Sequence, residues 1–278
     1  MKELFDETSF KISKLVTNAY STSFSLGIKL LASHLRPEIC SVYGFVRYAD
    51  EIVDSFHDYN QEELILEFET DYKKALDRKI SLNPVLNSFQ KVVHEFKLYE
   101  LVESFMHSMK LDLEKSDYMT EEEYKAYIYG SADVVGLMCL KIFVRGDEEK
   151  YESLKGEAMN LGSAFQKVNF LRDIKDDFER LGRSYFPNMS GNEFNNQTKK
   201  EIIEDINKDF LKAYEGILKL PMDCKLGVYV AYRYYCGLLK KIKRKNSQDI
   251  LENRIRLSNP LKIVILFKSY IRYQLNMI

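Results

Sequence analysis

Phe165-Gln-Lys-Val-Asn-Phe-Leu-Arg-Asp-Ile-Lys-Asp-Asp177 sets Gln166, Asn169, Asp173 and Asp177 at spacings of three and four residues. On an α-helix that spacing stacks the four polar side chains on one face. Phe165, Val168, Phe170, Leu171 and Ile174 occupy much of the remaining circumference. A helix patterned in this way packs on most sides and keeps one polar stripe. Carboxylates gathered on such a stripe repel one another and are costly to bury unless cations join them.

Earlier in the chain, Arg47-Tyr-Ala-Asp-Glu-Ile-Val-Asp54 repeats the arrangement. Asp50 and Asp54 lie one turn apart, with Arg47 and Glu51 on the same stripe and Val42, Phe45, Val46, Ile52 and Val53 around them. Spacing alone is a weak signal, because Asp54/Asp58 and Asp205/Asp209 share it and read as solvated helix surface. The apolar setting separates the two chosen segments. Mg²⁺ takes a few carboxylate oxygens and completes its shell with water and substrate phosphates, so a diphosphate-metal site is one reading and surface ion pairing the other. Neither a GxxxxGK[ST] loop nor a GxGxxG turn supports a nucleotide site.

The same period recurs through most of the chain, as in Ile12, Leu15, Val16, Ala19 or Leu64, Ile65, Phe68, Tyr72, and strand alternation is nearly absent. The fold class is therefore all-α. Breaks at His34–Pro37, Arg78–Pro84, Ser116–Thr120, Gly146, Pro187–Thr198, Pro221 and Ser258–Pro260 divide it into eight or nine helices. Thr120 followed by Glu123 predicts a capping box. A polar loop, Asn188 to Lys200, follows the second acidic segment and is placed to cover a site. With 278 residues, 45% hydrophobic, and no Pro-, Gly- or Ser-rich linker, one domain spanning 1–278 is expected.

Lys plus Arg number 41 against 42 for Asp plus Glu, a net charge of −1 that offers no attraction for nucleic acid. Cys40, Cys139, Cys224 and Cys236 are widely spaced, as expected of reduced thiols in a cytoplasmic protein. His34, His57, His94 and His107 show no ligand spacing and are given no role. Met1–Lys14 has no apolar signal core, and the longest apolar stretch, Val134–Val144, is broken by Lys141 and short of the roughly twenty residues of a membrane span. The run Lys240–Lys245 reads as a solvated helix end that could also touch anionic lipid. Leu261–Phe267 is apolar enough to rest on a membrane surface, with core packing as the alternative.

Together these segments resemble the squalene/phytoene synthase family, from Tyr20 to about Arg256. Tyr20-Ser-Thr-Ser-Phe24 is similar to the family's serine-rich motif, which makes Tyr20, Ser21, Thr22, Ser23 and Phe24 substrate-binding candidates. Tyr43, Arg47, Asp50, Glu51 and Asp54 fit the first acidic motif, and Gln166, Asn169, Arg172, Asp173 and Asp177 the second. Arg183-Ser-Tyr-Phe-Pro187 resembles the RxYxP closure of phytoene synthases. Tyr127–Gly136 is similar to the helix lining the family's hydrocarbon channel, with Tyr127, Ala132 and Val135 as lining candidates. Asp133 departs from that pattern, where glycine is common, and is expected to turn outward or to pair with a basic residue. Tyr235 is similar to a late tyrosine near the reacting carbons.

The resemblance implies a single-domain, all-α isoprenoid synthase bundle around a central hydrophobic channel. It implies a prenyltransferase using two or three Mg²⁺ ions, with Mn²⁺ as a substitute, held by Asp50, Glu51, Asp54, Asn169, Asp173 and Asp177. The expected reaction joins two geranylgeranyl diphosphates head to head into phytoene, through a cyclopropylcarbinyl diphosphate and without NADPH, in carotenoid biosynthesis. Farnesyl-based dehydrosqualene, hydroxysqualene or squalene synthesis is the alternative within the family. A non-catalytic helical assembly or binding protein is the alternative outside it. A long hydrocarbon product implies peripheral membrane contact.

Overall fold

The computed structural model describes residues 1–114, 120–181, 186 and 194–278, with no side chains described at 175–181. Among these residues there is no strand. The helices are α1 (Lys2–Tyr20), α2 (Thr22–Lys29), α3 (Leu35–Ser55), α4 (Gln61–Arg78), α5 (Pro84–Phe96), α6 (Tyr99–Glu114) and α7 (Glu121–Ile128). A π-helical turn, Tyr129–Asp133, joins α7 to α8 (Val134–Phe143). Then follow α9 (Glu148–Leu181), α10 (Asn196–Lys219), α11 (Met222–Lys243), α12 (Ser247–Glu252) and α13 (Asn259–Gln274).

Among the described residues the thirteen α-helices exceed the expected eight or nine, in part because the breaks at Ser21 and at Lys97–Leu98 are only one and two residues wide. Lys97 ends α5 in the left-handed region, φ 53°, and Leu98 then carries the apolar period straight into α6. Ser21 separates α1 from α2 in an extended conformation and accepts a hydrogen bond from the Phe24 amide. Neither break leaves the Gly or Pro signature by which a loop is read. The predicted capping box is present: Thr120 Oγ1 accepts from the Glu123 amide at 3.1 Å and Glu123 Oε2 accepts from the Thr120 amide at 3.2 Å.

Helix α3 is the axis of the first core, packed by α1, α4, α5, α6 and α8. Phe45, fully buried, stacks on Phe89 with centroids 4.0 Å apart and on Phe68 at 5.1 Å. A second cluster joins Val168, Leu171 and Ile174 of α9 to Ile203, Ile206 and Phe210 of α10 and to α11. There Lys167 donates to both Asp205 and Asp209, the latter at 2.8 Å. This DxxxD pair is thus a clamp between α9 and α10 rather than plain solvated surface. Two glycines permit close crossings. A Cβ on Gly162 would sit 2.9 Å from the Ala132 carbonyl oxygen, and one on Gly227 2.5 Å from Leu31 Cδ2.

The stretch Glu121–Phe143 runs on as one helical rod, long and apolar enough by composition to cross a membrane. The sequence places no break between Thr120 and Gly146, and the structure agrees, with the π turn joining α7 to α8 without interrupting the helix. Val134, Leu137 and Met138 have no exposure, so this rod is part of the core.

At the α1–α5 contact, Asp6 accepts from Lys2, from Lys91 at 2.8 Å and from Asn87 at 2.9 Å. Burial alone would raise its carboxyl; these donors outweigh burial and hold it well below the usual carboxylate range. Asp6→Asn should lower the unfolding free energy by about 2 kcal/mol at neutral pH. Because the folded pKa is the depressed one, the difference from wild type should shrink as pH falls below the ordinary carboxylate range toward the folded value. Urea midpoints across the acid range measure both.

Candidate active site

α3 brings its acidic stripe to one wall of a cavity of 650 Å³, and α9 brings its own polar stripe to the same cavity. Asp50, Asp54, Arg47 and Tyr43 line it from α3, and Gln166, Asn169, Arg172 and Asp173 from α9. Tyr20, Ser21, Phe24, Tyr127, Ala132, Val135 and Tyr235 also line it. Residues as far apart in the chain as Tyr20 and Tyr235 thus share one space.

Several candidates fall elsewhere. Glu51 is off the cavity wall and pairs with Arg47. Thr22 and Ser23 do not line it either, and Thr22 Oγ1 accepts from Lys262 at 3.1 Å. The Asp177 side chain and Arg183 lie outside the described residues, as do residues 188–193 of the polar loop, while its end, Asn196 to Lys200, is the first part of α10 and not loop. Of Arg183–Pro187, Phe186 is described: it is buried, 5.9 Å from Tyr124 and 6.1 Å from Phe170 between centroids.

Asp50 is held up to about 8 by burial, then by the charges of Asp54 and Asp112, with Arg47 pulling the other way. Asp112 on α6 was not singled out in the sequence. It is buried, lines the cavity and accepts a hydrogen bond from Tyr127 Oη at 3.0 Å. A signal was there, since Phe105, Met109 and Asp112 follow helical spacing and place an acid on an apolar stripe. Asp173 is paired differently: Arg172 Nε donates to it at 2.8 Å, and Arg254 forks onto it at 2.8 and 3.2 Å. Arg254 comes from the segment after α12, 81 residues later, and no local pattern marks it.

Aromatic rings lie among these charges. Phe165 stacks on Tyr235 with centroids 3.9 Å apart, and Phe24 stands 5.9 Å from Tyr43 and 6.5 Å from Tyr235. Burial raises the Tyr43 and Tyr235 hydroxyls above their ordinary range, and Tyr235 donates to Asn169 Oδ1 at 3.3 Å. The guanidinium of Arg47 lies 4.7 Å over the Tyr20 ring, and its Nε is buried with no hydrogen-bond partner among the described residues. Beyond the rings the wall is apolar, with Leu31, Ile39, Leu140, Phe143, Leu154 and Ile217.

Asp133 does not line this cavity. The π turn rotates it toward α9, where Ser163 Oγ donates to it at 2.8 Å. Burial raises its carboxyl to about 7 despite that bond, with Lys167 as the nearby cation. Asp133 leaves the cavity wall as expected, but it stays buried on Ser163 instead of turning outward or pairing directly with a basic residue.

Metal fit rests on the donor set. The described candidates offer carboxylate and amide oxygens, the hard ligands that suit Mg²⁺. Among the described residues no three acidic, His or Cys side chains cluster tightly enough to hold an ion unaided. Asp50 and Asp54 of α3, Asp112 of α6 and Asp173 of α9 instead line one cavity from three helices, an arrangement that fits an ion whose shell is completed by substrate phosphate and water.

Charged groups at one part of an apolar cavity, inside an all-helical shell, define the isoprenoid synthase class. The family model for squalene/phytoene synthase matches residues 17–260, and the chain belongs to that family of prenyltransferases, which join isoprenoid units head to head. It is 27% identical to the 15-cis-phytoene synthase of a Synechocystis species, covering 96% of this chain and 86% of that protein. It is 26% identical to the 15-cis-phytoene synthase of a Paracoccus species, covering 88% of this chain and 86% of that one. In three dimensions it matches a dehydrosqualene synthase solved with ligand at a TM-score of 0.82, with 20% identity and coverage of 97% and 98%.

Proposed function

We propose that this enzyme condenses two geranylgeranyl diphosphates into phytoene with Mg²⁺. The observation that carries this reading is the joining in one cavity of both acidic stripes, an apolar wall and an Arg47 Nε with no partner among the described residues. Similarity to phytoene synthases along most of the chain supports the choice of product.

Asp50, Asp54, Asn169, Asp173 and Asp177 would hold the metal, which when bound supplies Lewis-acid stabilisation of departing diphosphate. Arg47, Arg172 and Arg254 line the same cavity and would donate charge-assisted hydrogen bonds to diphosphate oxygens. In the first step the allylic C–O bond breaks and its electron pair leaves with diphosphate. The double bond of the second substrate then attacks the cation and loses a proton, giving the cyclopropylcarbinyl diphosphate. Phe24, Tyr43, Phe165 and Tyr235 turn rings toward this region, and ring faces stabilise positive charge while excluding water. A second ionisation, rearrangement and proton loss complete phytoene without a reductant.

The test is product analysis after incubation with Mg²⁺ and, separately, geranylgeranyl and farnesyl diphosphate, both without NADPH. Phytoene from the longer substrate is expected. Dehydrosqualene or hydroxysqualene from the shorter substrate alone would overturn the chain-length assignment and keep the chemistry. No diphosphate release from either would remove the reaction itself.

A further inference from the structure

Helix α13 is apolar on the side where a surface helix is polar. Ile263 and Phe267 are each 64% exposed, and Val264, Tyr270 and Ile271 are exposed beside them. Spacings of three and four put these five on one stripe. The opposite stripe, with Ile265, Leu266 and Tyr273, packs on Leu226, Val230 and Tyr234 of α11. A helix apolar around most of its circumference belongs in an apolar environment on both sides, yet among the described residues nothing covers the outer one.

The charge around the stripe says what kind of surface covers it. Residues 253–278 contain Arg254, Arg256, Lys262, Lys268 and Arg272 and no Asp or Glu, in a chain whose net charge is −1. The exposed basic run at the end of α11 adjoins it, since Lys241 Nζ donates to the Arg256 carbonyl at 2.6 Å. A second copy docking through the same face would bring like charges together. Anionic headgroups above an acyl layer match both features at once.

We propose that the outer face of α13 docks this enzyme onto an anionic lipid surface. Ile263, Phe267 and Tyr270 enter the acyl boundary, and Lys268 with the Lys240–Lys245 run lies among the headgroups. Docking sets the cavity close to the lipid. Lys262 bonds Thr22 of α2, next to the cavity residue Ser21, and Arg254 bonds Asp173 on the cavity wall. A hydrocarbon formed there has a short path into the bilayer; this consequence rests on the proposed function, whereas the docking does not.

The experiment is flotation of the full chain with vesicles of phosphatidylcholine alone and of phosphatidylcholine with phosphatidylglycerol, at low and high salt. Wild type should float with the anionic vesicles, roughly tenfold less with the neutral ones, and less again at high salt. The double variant Ile263→Glu/Phe267→Glu should lose at least about tenfold in binding at an unchanged thermal midpoint. Lys268→Glu should weaken binding to anionic vesicles alone. Diphosphate release in detergent should be the same in all three proteins. Wild type remaining unbound, or the double variant binding as tightly as wild type, would overturn the proposal. So would a solution dimer that the double variant dissociates while neither protein floats, which assigns the face to a second copy. Flotation without turnover would remove the reaction and leave the docking intact.

Discussion

Asp50→Asn should lower the rate of diphosphate release by a factor of about 100 to 1000, the loss seen when one preorganised electrostatic group at a reacting centre is removed. The side chain lines the cavity, with Asp54 and Asp112 as its charged neighbours and Arg47 as the opposing charge. Asn keeps the shape and removes the ionisable carboxyl, so the fold should survive and the thermal midpoint should not fall, since a group whose charged form burial disfavours has gone. Under the proposed metal role, the Mg²⁺ concentration for half-maximal rate should also rise. Turnover within a few-fold of wild type would take Asp50 out of the site, and a lower thermal midpoint would show that its carboxyl serves the fold instead.

Phe45→Ala should destabilise the protein by about 3–5 kcal/mol, the usual loss for a buried aromatic ring truncated to a methyl. The ring has no exposure and touches Phe68, Tyr72, Phe89 and Phe105, so α3, α4, α5 and α6 all lose a packing partner together. In a chain of this size the thermal midpoint should drop by roughly 10 °C. Phe45 lies between Tyr43 and Arg47 on the helix that carries Asp50. The variant should therefore keep its rate well below the midpoint and lose it together with the helical signal on heating. A change under about 1 kcal/mol would mean that this ring stack is not what seats α3.

The two acidic segments were legible because each carries its whole message within about a dozen residues. A period of three and four gives the helix, and the surrounding apolar residues give the burial. The same locality explains the Thr120 cap, the Ser258 start of α13 and the presentation of Gln166 and Asn169 together on one face of α9. Glu51 shows the limit of the argument. It shares a helical stripe with Asp50, but the stripe is wider than the cavity, and the structure gives Glu51 to Arg47 instead.

What the sequence determined alone is the helical class, the presence of two acidic helices and the family resemblance, since these depend on residues near one another in the chain. Only the tertiary structure could add Asp112 and Arg254, whose roles depend on α6 and the segment after α12 arriving beside α3 and α9. The same holds for Asp133. Its charge in an apolar segment predicts an outward turn or a basic partner, whereas a π turn, undetectable from spacing, buries it on Ser163. The outer face of α13 belongs here too: composition marks the helix as apolar, but which stripe is covered was decided by where α11 lies. Contacts across long chain separations are set by packing, and packing is a property of the assembled helices rather than of any one of them.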